Sequence, residues 1–190
     1  MKKILTIALI SLFGAAAFAQ PKFAHVNFSE LVQLMPEADQ ARATMNASSK
    51  EAQDTYQSMV EEFQNKYSQY QQKAATWTGA IKESKERELT EIQQRIQEFQ
   101  QNVQQELQEQ QEKLMAPIYT KARETVSKMA KEAGYIFVFD KTSVLYLDEA
   151  QSVDLTPEAR KLLGIADDRT LESLQAELQA QAQAQAAQQQ

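Results

Sequence analysis

The 190-residue chain contains no cysteine, only four glycines and four prolines, and a single histidine. The absence of cysteine excludes a disulfide framework and a lipid-modified cysteine. One histidine without any cysteine leaves no plausible zinc cluster or Cys–His pair. The scarcity of glycine and proline, together with abundant Gln, Glu and Ala, is typical of long helices rather than of a compact globule.

Sequence signatures of catalysis are missing as well. The chain has no glycine-rich phosphate loop, no nucleotide fingerprint and no G-x-S-x-G turn. His25 lies in a predicted strand, where we interpret it as a structural residue. The adjacent carboxylates at 148–149 and 167–168 lack the separated geometry of an acid/base pair. We therefore expect no enzyme activity, no metal and no cofactor.

The N-terminus has the pattern of an export signal. Two lysines precede an apolar run from Ile4 to Phe13, and Ala17-Phe18-Ala19 provides an A-x-A cleavage pattern. The run is short for a helix that spans a membrane. We expect a signal peptide over residues 1–19 and a mature protein that is soluble in the periplasm. Cleavage leaves 18 basic and 26 acidic side chains, and this negative balance argues against nucleic acid as a partner.

The first segment of the mature chain predicts a strand followed by a broken helix. Residues 22–28 contain aromatic and β-branched side chains without a helical period, which is typical of a strand. Asn27 is followed three residues later by Glu30, the spacing of a helix N-cap with a reciprocal partner. Pro36 disfavours helical geometry at Met35, so the first helix should break there and restart with Pro36 in an early position.

The middle of the chain predicts a long antiparallel coiled-coil hairpin over residues 29–134. Apolar residues recur at steps of four and three in both halves, which indicates two helices wound around each other. Gly79 and the charged stretch that follows lie near the midpoint, so we predict the tip of the hairpin at residues 79–88. Pro117 should kink the returning arm, because its ring clashes with the preceding turn.

The hairpin carries an unusual stripe of aromatic residues, whereas coiled-coil seams usually prefer aliphatic side chains. In one interpretation the rings pack in the seam between the two arms. In the other, some rings are partly exposed and contact apolar segments of a client protein. Both interpretations can hold for different rings. The candidate client-binding residues are Tyr56, Phe63, Tyr67, Tyr70, Trp77 and Phe99.

The C-terminal third predicts short strands and a short helix. Gly134 suits the left-handed cap at the end of the long helix. Residues 135–147 then predict a β-hairpin, with strands up to Asp140 and from Ser143. Its first strand is apolar on both faces, and three short strands in one chain cannot cover both.

The sequence beyond this point predicts one more short element and a tail. Thr156 and Pro157 predict the cap and first position of a helix over 156–163. The tail, 165–190, ends in Gln and Ala only, so we expect it to be partly disordered or a frayed helix.

The order of these elements resembles the Skp/OmpH family of periplasmic chaperones for outer-membrane proteins. The resemblance covers roughly residues 22–164 and includes Met35-Pro36-Glu37, Gly134-Tyr135 and Asp154-Leu155-Thr156. It implies a mainly α fold with a small β body that is completed in a homotrimer. Three hairpins would then enclose a cavity that holds an unfolded outer-membrane protein without ATP. The residues expected in the trimeric β body are Val26, Phe28, Ile136, Phe137, Val138, Val144 and Leu145.

One departure and one alternative accompany this resemblance. Familiar members of the family are basic, whereas this chain is acidic, with a net charge of −6 for the full sequence. The acidic charge disfavours contact with lipopolysaccharide or an anionic membrane. The alternative function is that of a structural or adaptor coiled-coil protein of the cell envelope, because the same heptad pattern suits pairing with a partner's helices.

Overall fold

A computed structural model describes residues 22–188 of the chain. The predicted signal peptide at residues 1–19 lies outside these described residues. The described part is mainly helical with one small sheet, as the sequence predicts. Its strands and helices follow in the order β1 (Phe23–Val26), α1 (Phe28–Leu34), α2 (Pro36–Lys73), α3 (Gly79–Ala133), β2 (Phe137–Asp140), β3 (Ser152–Asp154), α4 (Thr156–Leu162) and α5 (Leu171–Gln188).

The sheet has three parallel strands in the order β2-β1-β3. Phe23 is opposite Phe137 on one side and Ser152 on the other. Parallel neighbours require long crossover connections, and the whole helical hairpin between Val26 and Phe137 supplies the first of these. The central strand β1 is the most deeply buried, since Ala24, His25 and Val26 are all buried.

The prediction of a β-hairpin at residues 135–147 is wrong. Residues Lys141–Ser143 form a 3₁₀ turn, in which the Asp140 side chain accepts a hydrogen bond from the backbone N–H of Thr142. This turn directs the chain away from the sheet, and Val144 to Leu147 form no strand in the described structure. The third strand lies further along, at Ser152–Asp154, and pairs with β1 instead of β2.

The start of the helical region agrees with the sequence. Asn27 caps α1: its Oδ1 accepts from the backbone N–H of Glu30, and its Nδ2 donates to the Glu30 carboxylate. Met35 has extended geometry, with ψ of 141°, so α1 ends there and α2 begins at Pro36. The break has the expected cause, since proline disfavours helical geometry in the residue before it.

The tip of the helical region differs from the prediction at residues 79–88, because those residues form the first turns of α3. The chain instead reverses at a 3₁₀ turn, Ala74–Thr76, followed by Trp77 in extended geometry. Thr78 then caps α3, since its hydroxyl accepts from the backbone N–H of Ile81 at 3.5 Å. Gly79 is therefore a first helical residue and not the turn residue.

Helices α2 and α3 lie side by side and run in opposite directions. Moving outward from the base, side-chain contacts join Glu37 to Lys121, Ser48 to Gln110, Tyr56 to Gln100, Glu62 to Arg95 and Lys66 to Glu88. Helix α3 continues through Pro117 and ends at Gly134, whose φ of 73° is the left-handed cap predicted from the sequence.

The hydrophobic core is concentrated at the base of the hairpin. It joins β1, α1, the first turns of α2, the last turns of α3, and the segment from Leu155 to Leu174. Leu31, Leu34 and Met35 are its largest fully buried side chains. Ile92 is the one buried hydrophobic residue of the described chain that lies outside this cluster. The projecting arms are thus held mainly by a narrow, partly exposed seam.

The cap predicted at Thr156 has a different arrangement. The N-cap of α4 is Leu155, and the Thr156 hydroxyl accepts from the backbone N–H of Asn27 at 2.9 Å. The Asp154 carboxylate accepts from the backbone N–H of Thr156 at 2.8 Å. These bonds join the start of α4 to the start of α1. Beyond Gly164, α5 is helical from Leu171 to Gln188.

Candidate functional site

The six aromatic residues predicted to bind a client lie along the two arms of the hairpin and in the turn between them. Tyr56 and Tyr67 are 36% and 46% exposed, whereas the rings of Phe63, Tyr70, Trp77 and Phe99 are half-buried. Phe63 stacks on Tyr67 with ring centroids 5.9 Å apart, and Tyr70 meets Trp77 edge-on at the same separation. The stripe therefore combines partly buried rings with neighbours that are open to solvent.

Hydroxyl groups fix two of these tyrosines across the seam. The Tyr56 hydroxyl accepts from Gln100 Nε2 at 3.1 Å, and the Tyr70 hydroxyl donates to Glu86. The hydrogen bond to the Glu86 carboxylate raises the pKa of Tyr70 above its usual value. Both rings are thus oriented by a polar contact while part of each aromatic surface remains accessible.

Ion pairs connect the arms at intervals. Near the tip Glu88 accepts from Lys66 on the opposite arm and from Lys85 on its own helix. These two bonds lower the pKa of Glu88 to about 2. At the base Lys121 donates to Glu37 and lowers the pKa of that carboxyl. Exposed pairs of this kind add little stability, so we interpret them as fixing the register of the two arms.

The seam between these pairs is incompletely filled. A gap of about 310 Å³ lies between the arms. Its lining residues are Ser48, Glu51, Ala52, Thr55, Phe99, Val103, Glu106, Leu107 and Gln110. Small and polar residues of α2 here face larger apolar residues of α3, so the two surfaces are poorly matched. Phe99 is therefore a gap-lining residue rather than part of a closely packed core.

A second apolar surface lies on the sheet at the base. Phe23, Phe137 and Phe139 form a cluster with ring centroids 6.0 to 6.3 Å apart. All three rings are exposed, and Phe137 is 56% exposed. Phe137 and Phe139 alternate with Val138, which packs on the core, as expected for the two faces of a strand. This aromatic face is defined by Phe23, Phe137 and Phe139.

The residues predicted for a trimeric β body divide into two groups. Val26 is buried in the core of the chain itself, and Phe28 and Val138 pack against that core. Ile136 and Phe137 are exposed, Leu145 is fully exposed, and Val144 is half-buried. Sequence reasoning did not select Phe23 and Phe139. The period-two alternation along each strand was the signal that could have placed them on the face of Phe137.

His25 connects two strands of the sheet. Its side chain is buried, and Nδ1 lies 2.9 Å from Ser152 Oγ on β3. Nε2 is 4.0 Å from the Asp154 carboxylate, beyond hydrogen-bond distance. The backbone carbonyl of His25 also accepts from Leu155 N–H at 2.9 Å. These contacts agree with the structural role expected for this histidine.

Within residues 22–188 no group of three or more histidine or carboxylate side chains could hold a metal ion. No helix in that part of the chain is both long and apolar enough to cross a membrane. The two aromatic surfaces are the features that stand out.

The architecture is that of a long helical hairpin mounted on a small parallel sheet. The chain matches the family described as outer membrane protein (OmpH-like) over residues 22–163, and it belongs to that family. A solved structure of similar fold is that of a proposed outer membrane chaperone (OmpH-like) from Caulobacter crescentus CB15. The two share 15% sequence identity and a TM-score of 0.67, over 80% of this chain and 92% of the other. No curated protein matches the chain.

Proposed function

We propose that this protein is an ATP-independent holding chaperone of the periplasm. It binds unfolded outer-membrane proteins in a cavity between the helical hairpins of a homotrimer and so prevents their aggregation. Membership of the OmpH-like family supports a chaperone rather than an enzyme. The observation that carries the proposal is the separation of two apolar surfaces, the aromatic face at the base and the partly exposed rings along the hairpin.

The aromatic face supports assembly of several copies. A patch of three neighbouring exposed rings on one face of a sheet is the kind of surface through which further copies of a chain can pack. Leu145 and Tyr146, in the loop after β2, are two further large side chains that are 109% and 82% exposed. A sheet of three short strands has no second layer on this side. Other copies of the same chain would supply one, and a threefold arrangement is what the family resemblance implies.

The hairpin surface supports loose binding of many segments rather than tight binding of one. Strands of outer-membrane barrels alternate apolar and polar residues, so an unfolded barrel protein presents both. Tyr56 and Tyr67 offer an apolar ring next to a polar tip, on helices whose other surface positions are mostly Gln, Glu and Lys. Contacts of this kind are individually weak. Release would therefore need no ATP, since each contact can be lost separately.

The location in the periplasm is supported by the N-terminal export pattern and by membership of the OmpH-like family. The negative net charge of the chain disfavours anionic lipid as a binding surface. Capture of a client therefore depends mainly on apolar and aromatic contacts. This dependence predicts that client binding changes little with added salt, which screens charge interactions but not apolar ones.

The proposal is tested by light scattering on the mature protein, alone and with a urea-unfolded outer-membrane barrel protein diluted into buffer. We expect the mass of a trimer and a soluble complex of one trimer with one client. The Y56S/Y67S variant should lose most of this capture. The Y119S variant is the matched control, because Tyr119 is as exposed as Tyr67, at 46%, but lies near the base against Phe28.

Two results would contradict the proposal. In the first, the client precipitates equally with and without the protein. In the second, capture is lost equally in Y56S/Y67S and Y119S, so that the hairpin rings have no special part. Recovery of one folded partner by crosslinking, without binding of unfolded chains, would instead support the alternative of an envelope adaptor.

A further inference from the structure

The C-terminal segment beyond residue 163 lies outside the part of the chain that matches the family. It is nevertheless anchored to the body. Ile165 and Leu174 are buried in the same core as Leu34, Met35 and Ala38. These three residues surround the break between α1 and α2. The segment therefore joins the body to the first turns of the hairpin on both sides of that break.

Two arginines fix the path of this segment. Arg169 donates to Asp39 on α2 at 2.8 Å and to Glu177 on α5 at 2.5 Å. Arg160 donates to the backbone carbonyls of Ala166 and Arg169, and to Glu30 on α1 at 2.7 Å. The segment is thus held by one buried leucine of α5 and by bonds to α1 and α2.

Helix α5 packs on α1 at its start and then extends in the same direction as α2, without close packing against it. Gln181 shares one cleft with Ala43 and Asn46, and Gln185 shares the next cleft with Lys50 and Gln57. The 18 residues of α5 extend about 27 Å at 1.5 Å per residue. The helix is thus long enough to reach from Asp39 to the level of Gln57, and it leaves the outer part of the arm without such a neighbour.

This supported part of α2 is also where its seam with α3 is weakest. Ser48, Ala52 and Thr55 line the gap toward α3, whereas Lys50 and Gln57 line the cleft toward α5. Between Ile92 and Ile118 no residue of α3 is buried. At this level α2 thus has poor packing on one face and a neighbouring helix on the other.

We propose that α5 is a brace that holds the base of the hairpin and limits how far α2 moves away from α3. Because α5 connects α2 to the body across the break at Met35, it restrains the angle at which the hairpin leaves the body. The width of the hairpin base sets the space available to a client, and this part of the proposal rests on the proposed chaperone function.

Helix α5 is anchored near its N-terminal end, so its C-terminal end can separate from α2 first. Leu174 is the one buried residue of α5 among those described. Beyond Leu178 the sequence contains only Gln and Ala, and side chains 179–187 are exposed. Such a surface binds α2 weakly. Release of α5 therefore requires only the loss of the Leu174 contact and the Arg169 ion pairs.

The first test measures backbone hydrogen exchange in the mature protein without any client. L174D should release α5 and accelerate exchange of the α2 amides from Asp39 to Gln57 by at least tenfold. The matched control is L171D, since Leu171 is on the same helix but 40% exposed. Equal exchange in L174D and the wild type would overturn the brace. A protein that unfolds throughout would be recognised by fast exchange in β1 as well, and truncation after Arg169 then replaces L174D with the same expectation.

The second test locks the brace, which the absence of cysteine makes straightforward. In Q53C/Q185C both cysteines line the cleft between α5 and α2, and a bifunctional thiol reagent with a reducible spacer can bridge that cleft. A direct disulfide would need the two Cα atoms to lie within about 7 Å. Failure of the reagent to link the two cysteines within one chain would contradict the position of α5. The crosslinked protein should exchange more slowly than the reduced one over Asp39–Gln57 and should capture less of a large barrel client, with recovery on reduction. The single variants Q53C and Q185C are the controls.

The outcomes of the two proposals are separable. If the wild type captures no client, the chaperone function fails, while hydrogen exchange still reports on the brace. If exchange responds as expected but the locked protein captures large clients as well as the reduced one, control of the client space by α5 is overturned.

Discussion

The substitution F137S tests whether the aromatic face is the surface through which copies assemble. A phenylalanine side chain buries ~200 Å² when fully covered, and Phe137 is 56% exposed in the single chain. Roughly 110 Å² is thus available, which at ~25 cal/mol per Å² amounts to about 3 kcal/mol for each copy. Three copies would then lose about 8 kcal/mol of association free energy, as an upper limit.

The expected consequence is a large shift in the concentration at which the proposed trimer forms. At about 1.4 kcal/mol per factor of ten, 8 kcal/mol corresponds to a change of roughly a millionfold in the trimer association constant. The midpoint concentration varies as the inverse square root of that constant, so it should rise roughly a thousandfold. Sedimentation equilibrium over a wide range of concentrations measures this shift directly.

The control for this prediction is L162S. Leu162 is 59% exposed, close to the value for Phe137, but it lies on α4 and not on the sheet. Its replacement should leave the midpoint within about threefold of the wild type. The reasoning is refuted if F137S assembles at the same concentration as the wild type, or if the wild type is monomeric throughout the range.

Three further predictions concern the stability of the chain. Leu31 is fully buried in the core, so L31A should lower the free energy of unfolding by about 2–5 kcal/mol in urea denaturation; a loss under 1 kcal/mol would contradict the core assignment. Gly134 has φ of 73° and open space around its Cα, so G134A should cost about 1–2 kcal/mol through backbone conformation alone, and an equal or greater stability would contradict this cause. Glu88 has its pKa lowered to about 2 by Lys66 and Lys85. Its ion pairs should therefore be intact above the ordinary pKa of 4.5 and be lost as the pH falls toward 2. Protection of the tip amides, taken relative to the intrinsic exchange rate at each pH, should then decrease by a small factor with acid in the wild type but not in E88Q.

The features that the sequence predicted correctly are set by neighbouring residues. The cap at Asn27 needs only Glu30 three residues later, and the break at Met35 needs only the proline that follows it. The end of α3 at Gly134 likewise depends on one residue that adopts a positive φ at no steric cost. In each case the relevant contact spans four residues or fewer, so the local pattern determines the result.

The features that the sequence predicted wrongly depend on which of two segments of the chain pairs with a distant third segment. Val144 to Leu147 has strand-forming side chains, yet Ser152–Asp154 occupies the place beside β1. The His25–Ser152 hydrogen bond and the Leu155–His25 backbone bond accompany that pairing. The tip was placed too far along the chain, because the charged residues after Gly79 suit an exposed helix as well as a turn.

For the candidate surfaces, too, the sequence predicted the local pattern but not the contacts between distant residues. The heptad pattern identified the aromatic stripe, but it does not say which ring is covered by the other arm. Tyr67 and Phe63 are four residues apart in one stripe, yet Tyr67 is exposed and Phe63 half-buried. The alternation in β2 implied two faces, but which face packs on the core depends on the helices placed behind it.

The sequence by itself determined that this protein is a long, cysteine-free helical hairpin with short strands at its base, because periodicity, caps and glycines act over a few residues. Only the tertiary structure decided which strands pair and where the hairpin turns. It also decided that Phe23, Phe137 and Phe139 form one exposed face, and that α5 is anchored beside the first turn of α2 by Leu174 and Arg169. These outcomes depend on contacts between residues distant in the chain. The free energies of these contacts depend on how well whole surfaces fit together, and a local sequence pattern does not determine that fit.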